Sequence, residues 1–492
     1  MMLPLAAPQN NFPNFKICAI MHKSCCSQFS WKAGRLMDQA LDKRQLDRDI
    51  YRLIIPSVLE NMLQILAGVI TTAMVGRLLA DEMAAQGISN RIYQTCFALF
   101  RGLGMGATVV CALHFGRGAL GRCRRLIEQA FVTTVPLSLL LSAIIMIFPA
   151  QILSIFTDDP ALIAMAVSYS RITAWAIPFM TAICFNTAAF NGQGDTRTPM
   201  FIAIVLNGIN VCLGYALIFG LGPIPRLGIT GAAIATVVSQ GMGAALGLYL
   251  LYRPAGPFGI VAREGRFFSL DIPELKAFYS AGVPAALEFL FWQFSAVVLS
   301  KVILSYSVNH YAAYQQGLQA EMLTEMPAMG FTVASTTLTA RSIGMRDGPL
   351  LRGYYWRMIK MSLIIAVIST LILFLLPNQI MLLLTDKPEL IALGAVYVFI
   401  MGFAQIPQVL AKVFNGTIRA SGGKRVPMYF SFIGIWIVRV PMAVICAWVL
   451  HLGIEYVWWA ISLDQITRIA LSILYIWRKK VLYTVEQLPA EN

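Results

Sequence analysis

The chain has 492 residues, 58% of them hydrophobic and only 13% charged, with a formal net charge of +14. Soluble proteins carry about 25% charged residues, so the charge here is about half of what a water-facing surface needs. That excludes a soluble enzyme, a disordered scaffold, a coiled coil and a collagen-like fibre. It also argues against a nucleic-acid binder, because excess Lys and Arg in an apolar chain is first expected in cytoplasmic loops.

The first 48 residues contain Cys18, His22, Cys25 and Cys26 but no long apolar run. They are too polar for a signal-peptide core, and the spacing fits no zinc pattern. The segment reads as a disordered cytoplasmic tail, or as a leader ahead of a start at Met37. Twelve apolar stretches follow, each of the roughly 20 residues that a spanning helix needs. They run Ile50–Val75, Ile88–Phe115, Phe131–Phe156, Ile163–Phe190, Met200–Leu221, Gly231–Tyr252, Ala281–Leu304, Tyr311–Ile343, Ile359–Leu384, Leu390–Thr417, Val426–Leu450 and Tyr456–Trp477. Spans of a β-barrel would be about ten residues of alternating polarity, so the expectation is an all-α polytopic membrane protein. Its parts are a first six-helix bundle at 49–254, a cytoplasmic linker at 255–280, a second bundle at 281–478 and a short tail at 479–492. The six cysteines outside the first segment read as small apolar residues.

Lys and Arg in the short loops set the orientation. One set of loops and the C-terminal tail hold nineteen, Arg117, Arg253, Arg346 and Arg478 among them; the opposite loops hold four, Arg77, Arg91, Arg226 and Lys387. The first set and both termini are therefore expected in the cytoplasm, which requires an even number of spans.

The second half repeats the first. Pro56-Ser-Val-Leu-Glu60 recurs as Pro284-Ala-Ala-Leu-Glu288, Gly102 as Gly330, Gly116 as Gly344, Thr157-Asp158 as Thr385-Asp386, and Gly194…Arg197-x-Pro199-Met200 as Gly422…Arg425-x-Pro427-Met428, all at an offset of 228. After a loop shortened by three, Gly228-Ile229 and Gln240 match Gly453-Ile454 and Gln465 at 225. Two units of six helices enter the membrane from the same side, so a pseudo-two-fold axis along the membrane normal should relate them. Two such bundles around a central cleft can rock to open it to either face in turn, as secondary transporters do. There is no Walker-type loop for ATP and no selectivity-filter-like repeat, so a transporter without cofactors is expected, neither an enzyme nor a channel.

Pro56…Met74-Val75-Gly76, Ala84-Ala-x-Gly87, Gly102-Leu-Gly-x-Gly106, Gln193-Gly-Asp-Thr-Arg-Thr-Pro199-Met and Gly228-Ile-Thr-Gly-Ala-Ala-Ile-Ala-Thr236, in this order, resemble the opening half of a MATE (multidrug and toxic compound extrusion) transporter of the prokaryotic type. The second half matches with Gly282-Val-Pro284, Met326-Pro327-Ala-Met-Gly330 and Arg419-Ala-Ser-Gly-Gly-Lys-Arg-Val-Pro427-Met. The resemblance covers about residues 50–478 and implies cation-coupled export of bulky, often cationic, organic compounds. Many prokaryotic members carry an aspartate in the first helix, where this chain has Thr71, and another one turn after a fifth-helix asparagine. With Asn210 as that asparagine, the second position is Gly214. Thr236 matches the sixth-helix threonine of the same cluster. The first-half ion site thus loses both carboxylates and keeps neutral oxygens, a poor proton acceptor and a weak sodium site.

Ionisable groups inside spans cost about 2.5–3.5 kcal/mol each at the centre on insertion scales, so they are candidates for function. Glu288 follows Pro284 by one turn and is expected near mid-bilayer. Some members of the family have a glutamate there. It is expected to alternate between protonated and ionised forms and to bind cationic substrate when ionised; permanent protonation or an ion pair is the alternative. Glu60 is its repeat mate, with Arg52, Arg101 or Arg171 as possible neutralising partners. Glu321 and Glu325 share one face of the eighth helix; they are a proton relay, a cation site, or structural partners of Lys301 or Arg439. Asp464 and Arg468 read as an internal helix pair, and Lys412 has no evident role. Gln64, Trp292, Phe179 and Asn415 are candidate cleft-lining residues; Trp175, Phe289, Phe291, Phe403 and Trp436 are aromatics that either stack on substrate or pack. Trp448, Trp458 and Trp459 read as an interfacial belt.

The leading expectation is a monomeric antiporter of the bacterial inner membrane, exporting small organic molecules in exchange for H⁺ or Na⁺, with the lipid bilayer and a small-molecule substrate as its partners and no nucleic acid. A lipid-linked oligosaccharide flippase of related fold would instead need many basic residues on the cleft walls. A non-transporting membrane scaffold would need no cleft.

Overall fold

The computed structural model describes residues 43–77, 80–221, 225–259 and 271–487. Cys18, His22, Cys25 and Cys26 lie outside the described residues, as does most of the expected N-terminal tail. Every regular element among the described residues is helical. Ten helices are long and apolar enough to cross a membrane by themselves, and an eleventh span is the bent pair Pro160–Ala174 and Ala176–Gly192, whose axes differ by 44°. Pro178, in the first turn of the second segment, has no N–H to give the Ala174 carbonyl, which accounts for the break. One further span, Val308–Gly344, is as long as the longest of the others but carries Gln315, Gln316, Gln319, Glu321, Glu325 and a run of Ser and Thr. Its polarity hides it from hydropathy, and its second half is almost entirely buried against neighbouring helices. The spans are therefore, in order, Lys43–Val75, Ala80–Gly116, Leu120–Ile147, the bent pair, Arg197–Phe219 and Gly228–Tyr252, then Ile272–Leu304, Val308–Gly344, Gly348–Leu375, Pro388–Ala420, Val426–Val449 and Ile454–Lys479.

Three sequence boundaries need correction. The first span starts at Lys43, inside the expected tail, and the seventh at Ile272, inside the expected linker. Asp271 caps the seventh span by accepting from the Glu274 backbone N–H, which satisfies an orphan donor of the first turn. At the C-terminus the expected tail is partly ordered. Lys480 takes a left-handed conformation (φ 46°), and a short 3₁₀ stretch, Val481–Gln487, follows. That stretch lies on the ninth span, where Arg352 pairs with Glu486 at 2.6 Å and its guanidinium covers the Tyr483 ring.

The two halves meet along a seam of small residues, and the seam is symmetric. A methyl group added to Gly102 would collide with the backbone at Ala285 and Ala286 of the seventh span, and one added to Gly106 with the backbone of Gly282. The repeat mates do the same in mirror: a methyl group on Gly330 would strike Ile54 and Val58 of the first span. At the helix ends Gly116 lies against the Arg341 carbonyl and Gly344 against the Leu113 carbonyl, positions that the 228-residue offset again exchanges. Within each half, the loop after the fourth or tenth span is tied to the preceding bundle in the same way. Thr196 donates to the Arg52 carbonyl at 3.1 Å, and Lys424 donates to Ser280 at 3.0 Å. The pseudo-two-fold axis expected from the repeat is thus written in contacts.

On the face that carries both described ends, polar ties join the halves. Arg357 grips Asp47 and the Tyr354 hydroxyl donates to Asp49 at 2.7 Å, while His114 meets Glu274 at 3.1 Å and Arg125 meets Asp271 at 3.3 Å. Toward the other face, a methyl group on Gly68 or Gly87 would meet open space. Replacing Gly106 by Val should force the seam open and lower stability by about 1–3 kcal/mol, the usual cost of overpacking. A thermal melt of the purified protein in detergent checks this, with Gly208→Ala, whose added methyl meets nothing within 4 Å, expected to melt like the parent.

Candidate functional site

Charges are few inside these spans, and the structure gives most of them partners, as the cost of burying an unpaired ion requires. At the seam, Glu288 on the seventh span pairs with Arg419 of the tenth at 2.6 Å. Arg419 is almost fully buried and also touches Met105 of the second span, so one guanidinium bridges the two halves beside Glu288. The ion-pair alternative for Glu288 is the one seen in this state. Glu60, its repeat mate, forms no ion pair among the described residues. The cation it faces is Arg101, whose guanidinium donates to Asn61 at 3.2 Å and lies between the rings of Phe97 and Phe289, 5.7 Å from each. Phe289 belongs to the second half, so Glu60, Arg101, Phe289, Glu288 and Arg419 are gathered about the axis. Arg171 is exposed.

In the second half, Glu321 and Glu325 lie on one face of the eighth span, as their spacing requires, but their partners are not Lys301 or Arg439. Lys412 of the tenth span pairs with Glu325 at 2.5 Å. Glu321 accepts from the Tyr397 hydroxyl at 2.8 Å and from the Gln408 amide at 3.2 Å. Tyr397, Gln408 and Lys412 fall on one face of the tenth span, which delivers all three to the eighth. Arg439 instead joins Asp464 at 2.6 Å, and Arg468 bonds the same carboxylate through two nitrogens at 2.7 and 2.6 Å. Two features let one carboxylate hold two arginines. The eleventh span relaxes into a π-helical turn at Ile433–Arg439, which widens the helix locally. Gly434 has no side chain, and a methyl group there would collide with Asp464.

In the first half the neutral cluster is real. Thr71 donates to the Asn210 side-chain oxygen at 3.1 Å, the Asn210 amide donates to Ser239 at 3.2 Å, and Ser239 donates to the Thr236 carbonyl at 3.0 Å. Thr236 spends its own hydroxyl on the Ala232 carbonyl at 3.0 Å. Every oxygen in this chain of contacts is uncharged. At Gly214 an added Cβ would meet only the Ala235 methyl, at 3.8 Å.

The cleft-lining candidates separate. Gln64, Trp292 and Phe179 are exposed, whereas Asn415 faces the twelfth span and accepts from Ser472 at 3.3 Å. Phe403 packs with Phe374, Phe399 and Trp459 in an aromatic cluster. Trp458 is corrected: it is fully buried with its ring edge-on to Tyr397, centroids 5.6 Å apart, and is no belt residue. Trp448 does sit at a helix end, donating to Ser305 at 3.1 Å. Sequence reasoning missed Arg419, Lys412, Tyr397, Gln408 and Ser239 as partners. The signal was present for Lys412, an ammonium in an apolar stretch that must find an acid; for the others nothing in the chain order announces the contact.

Replacing Lys412 by Met should leave Glu325 buried and uncompensated, at a cost of about 3–5 kcal/mol. Adding Glu325→Gln should recover most of that loss. Thermal melts of the two single variants and the double variant measure the coupling directly.

Comparison with known proteins agrees with this geometry. The chain is 28% identical over 448 residues to the "Probable multidrug resistance protein NorM" of Thermotoga maritima, covering 90% of this chain and 96% of that one. It is 26% identical to the "Probable multidrug resistance protein YoeA" of Bacillus subtilis, covering 90% and 97%. Among solved structures, an outward-facing multidrug resistance MATE family transporter of the MOP superfamily superposes with a TM-score of 0.75 at 22% identity, over 92% of this chain and all of that one. A MOP superfamily transporter from Pyrococcus furiosus, described as having a binding pocket of reverse polarity, gives 0.75 at 22% identity over 91% and 99%. The MatE family model matches twice, at residues 56–216 and 284–445, its two starts 228 residues apart. The duplicated chain, with its mirrored seam and twelve spans, belongs to the MatE family.

Proposed function

We propose that the protein is a multidrug efflux transporter, a secondary antiporter that exports small organic compounds, cationic or amphiphilic, in exchange for H⁺ or Na⁺. The observation that carries this reading is the pair of repeat-related carboxylates, Glu60 and Glu288, set at the seam where the two bundles meet. A carboxylate that ionises or takes up a cation there biases the very contact that must open and close. Glu288 pairs with Arg419 in this state. A coupling ion on Glu288 would release Arg419, and an organic cation would compete with it for the same oxygens. Phe289 and Trp292, on the same helix, offer ring faces to a planar or cationic compound. The relatives named as multidrug resistance proteins support the substrate class.

The energy is sufficient. One charge moved through about 150 mV is worth about 3.5 kcal/mol, at roughly 2.3 kcal/mol per 100 mV. At about 1.4 kcal/mol per tenfold, one coupled cation sustains a gradient of a few hundred-fold. No bound cofactor is needed, and one chain carries both halves of the pathway, so it works as a monomer. The count of Lys and Arg in the loops favours a bacterial inner membrane placement with both termini in the cytoplasm. A flippase for an anionic lipid-linked substrate would need many free basic groups on the cleft walls, yet Lys412, Arg419, Arg439 and Arg468 are each engaged by an acid, and Arg101 donates to Asn61 between Phe97 and Phe289.

Reconstituted liposomes loaded with ethidium test this. An imposed pH or sodium gradient should drive ethidium against its own gradient, and Glu288→Gln should abolish that coupling. Transport driven by neither ion, or unchanged by Glu288→Gln, contradicts the reading.

A further inference from the structure

The ties between the halves on the face that carries both described ends are not chemically alike. Arg357 to Asp47, Tyr354 to Asp49 and Arg125 to Asp271 join groups whose charge does not change near neutral pH. The fourth, His114 to Glu274, contains an imidazole, which ordinarily changes charge between about pH 5 and 8. The other described histidines, His310 and His451, lie toward the opposite face, in the first turn of the eighth span and in the loop before the twelfth. His114 sits in the last turn of the second span and is 5% exposed; its Nε2 lies 3.1 Å from a Glu274 oxygen in the first turn of the seventh. The repeat puts Ser342 and Leu46 at the matching positions. Ser342 turns its hydroxyl back to the Leu338 carbonyl of its own helix at 2.9 Å, and Leu46 is buried and apolar. The seam therefore closes at the symmetric place without such a pair, so the tie is an addition to the packing.

The charged and titratable groups around His114 divide between the halves. On the first-half side are Arg122 and Arg125 of the third span, which face Glu274, and the thiols of Cys111, one turn earlier on the second span, and Cys123. On the second-half side are Glu274 and Asp271, the latter held by Arg125 at 3.3 Å, with Lys276 exposed two residues beyond Glu274 and Arg341 of the eighth span over the Phe115 ring. In the closed arrangement Arg122 and Arg125 balance Glu274 and Asp271, and the nearest charge to the imidazole is Glu274. When the halves part on this face, both acids leave with the second half and His114 stays with the two arginines.

We propose that His114 and Glu274 form a pH-sensitive latch across the seam, tightened when His114 takes up a proton and holding this face closed. The neutral imidazole gives Glu274 one hydrogen bond; the protonated ring adds an opposite charge, and pairs assisted by charge are the stronger ones. In the open arrangement the same proton faces only arginines. It therefore binds the closed state more tightly than the open one, and by linkage acid favours the closed state. The latch rests on the antiport reading, in which this face must open to load substrate, and adds a control to it. An acid cytoplasm keeps the face shut and slows the cycle, which in proton exchange limits further acid entry.

The test uses the full-length protein in lipid nanodiscs with spin labels at Arg197 and Arg425, exposed repeat mates at the starts of the fifth and eleventh spans, one in each half on this face. The distance distribution between the labels gives the ratio of closed to open. In the parent that ratio should rise several-fold as the pH falls from about 8 to about 6, the histidine range. His114→Gln keeps a donor for Glu274 but cannot titrate, and should lose most of the rise. Glu274→Gln keeps an acceptor but removes the charge, so the rise should vanish or reverse; a merely structural tie would lower the closed fraction equally at every pH. A rise in His114→Gln equal to that of the parent, or a parent whose ratio ignores pH, overturns the latch. Ethidium transport by the parent in liposomes is measured alongside. Its presence leaves the antiport reading standing when the latch fails, and its absence under both pH and sodium gradients overturns that reading whatever the labels show.

Discussion

Everything in this molecule depends on how closely two helical halves can approach. The second span lies against the seventh, and the eighth against the first, at distances that glycine permits at Gly102, Gly106 and Gly330. In a membrane there is no hydrophobic gain from bringing apolar helices together, because lipid is equally apolar. Close backbone packing supplies the attraction instead. Few large side chains cross the seam: Ile54 and Val58 seat on Gly330, Arg419 reaches Met105 and Arg101 lies against Phe289. The polar ties at one face, Asp47 to Arg357 and His114 to Glu274, hold this state closed on that side and can be exchanged for water.

The second constraint is electrostatic. A chain with so few charges inside its spans cannot leave them unpaired, and the second half resolves this by cross-helix bonds that lock the eighth, tenth, eleventh and twelfth spans into one body. The first half has little of this. Its equivalent of Asp464 is Ser239, and its cluster of Thr71, Asn210 and Ser239 is held by neutral hydrogen bonds. The duplication has therefore diverged in function while keeping its shape. Its buried acids are concentrated in the second half, with Glu60 as the first half's counterpart of Glu288.

Much of this was legible in the chain. The membrane class followed from charge scarcity, twelve spans from apolar runs, and the symmetry from a repeat at a constant offset, which the mirrored contacts of Gly102 and Gly330 reproduce. The eighth span was read as one of the twelve apolar stretches even though Gln315, Gln319, Glu321 and Glu325 interrupt it. The starts of the first and seventh spans were missed because their polar first turns look like loop. The partners of the buried acids were harder. Glu325 could have paired with Lys301 by charge alone, and only the packing of the tenth span on the eighth selects Lys412. The double grip on Asp464 depends on a π-helical turn at Ile433–Arg439, which no composition rule announces. Trp458 was misplaced because a tryptophan near a helix end resembles an interfacial anchor until the fold buries it against Tyr397.

The central claim is that two rigid halves hinge about the glycine seam under control of an ion. Ile155 and Leu383 are repeat mates in the loops opposite the described ends, 78% and 85% exposed, one in each half. Spin labels at these two positions, in a background without other reactive cysteines, report the opening of the cleft on that face as a distance distribution. The account predicts two populations whose ratio shifts when ethidium is added and shifts back with acid or sodium. A single distance, unmoved by ethidium, pH and sodium alike, would contradict it.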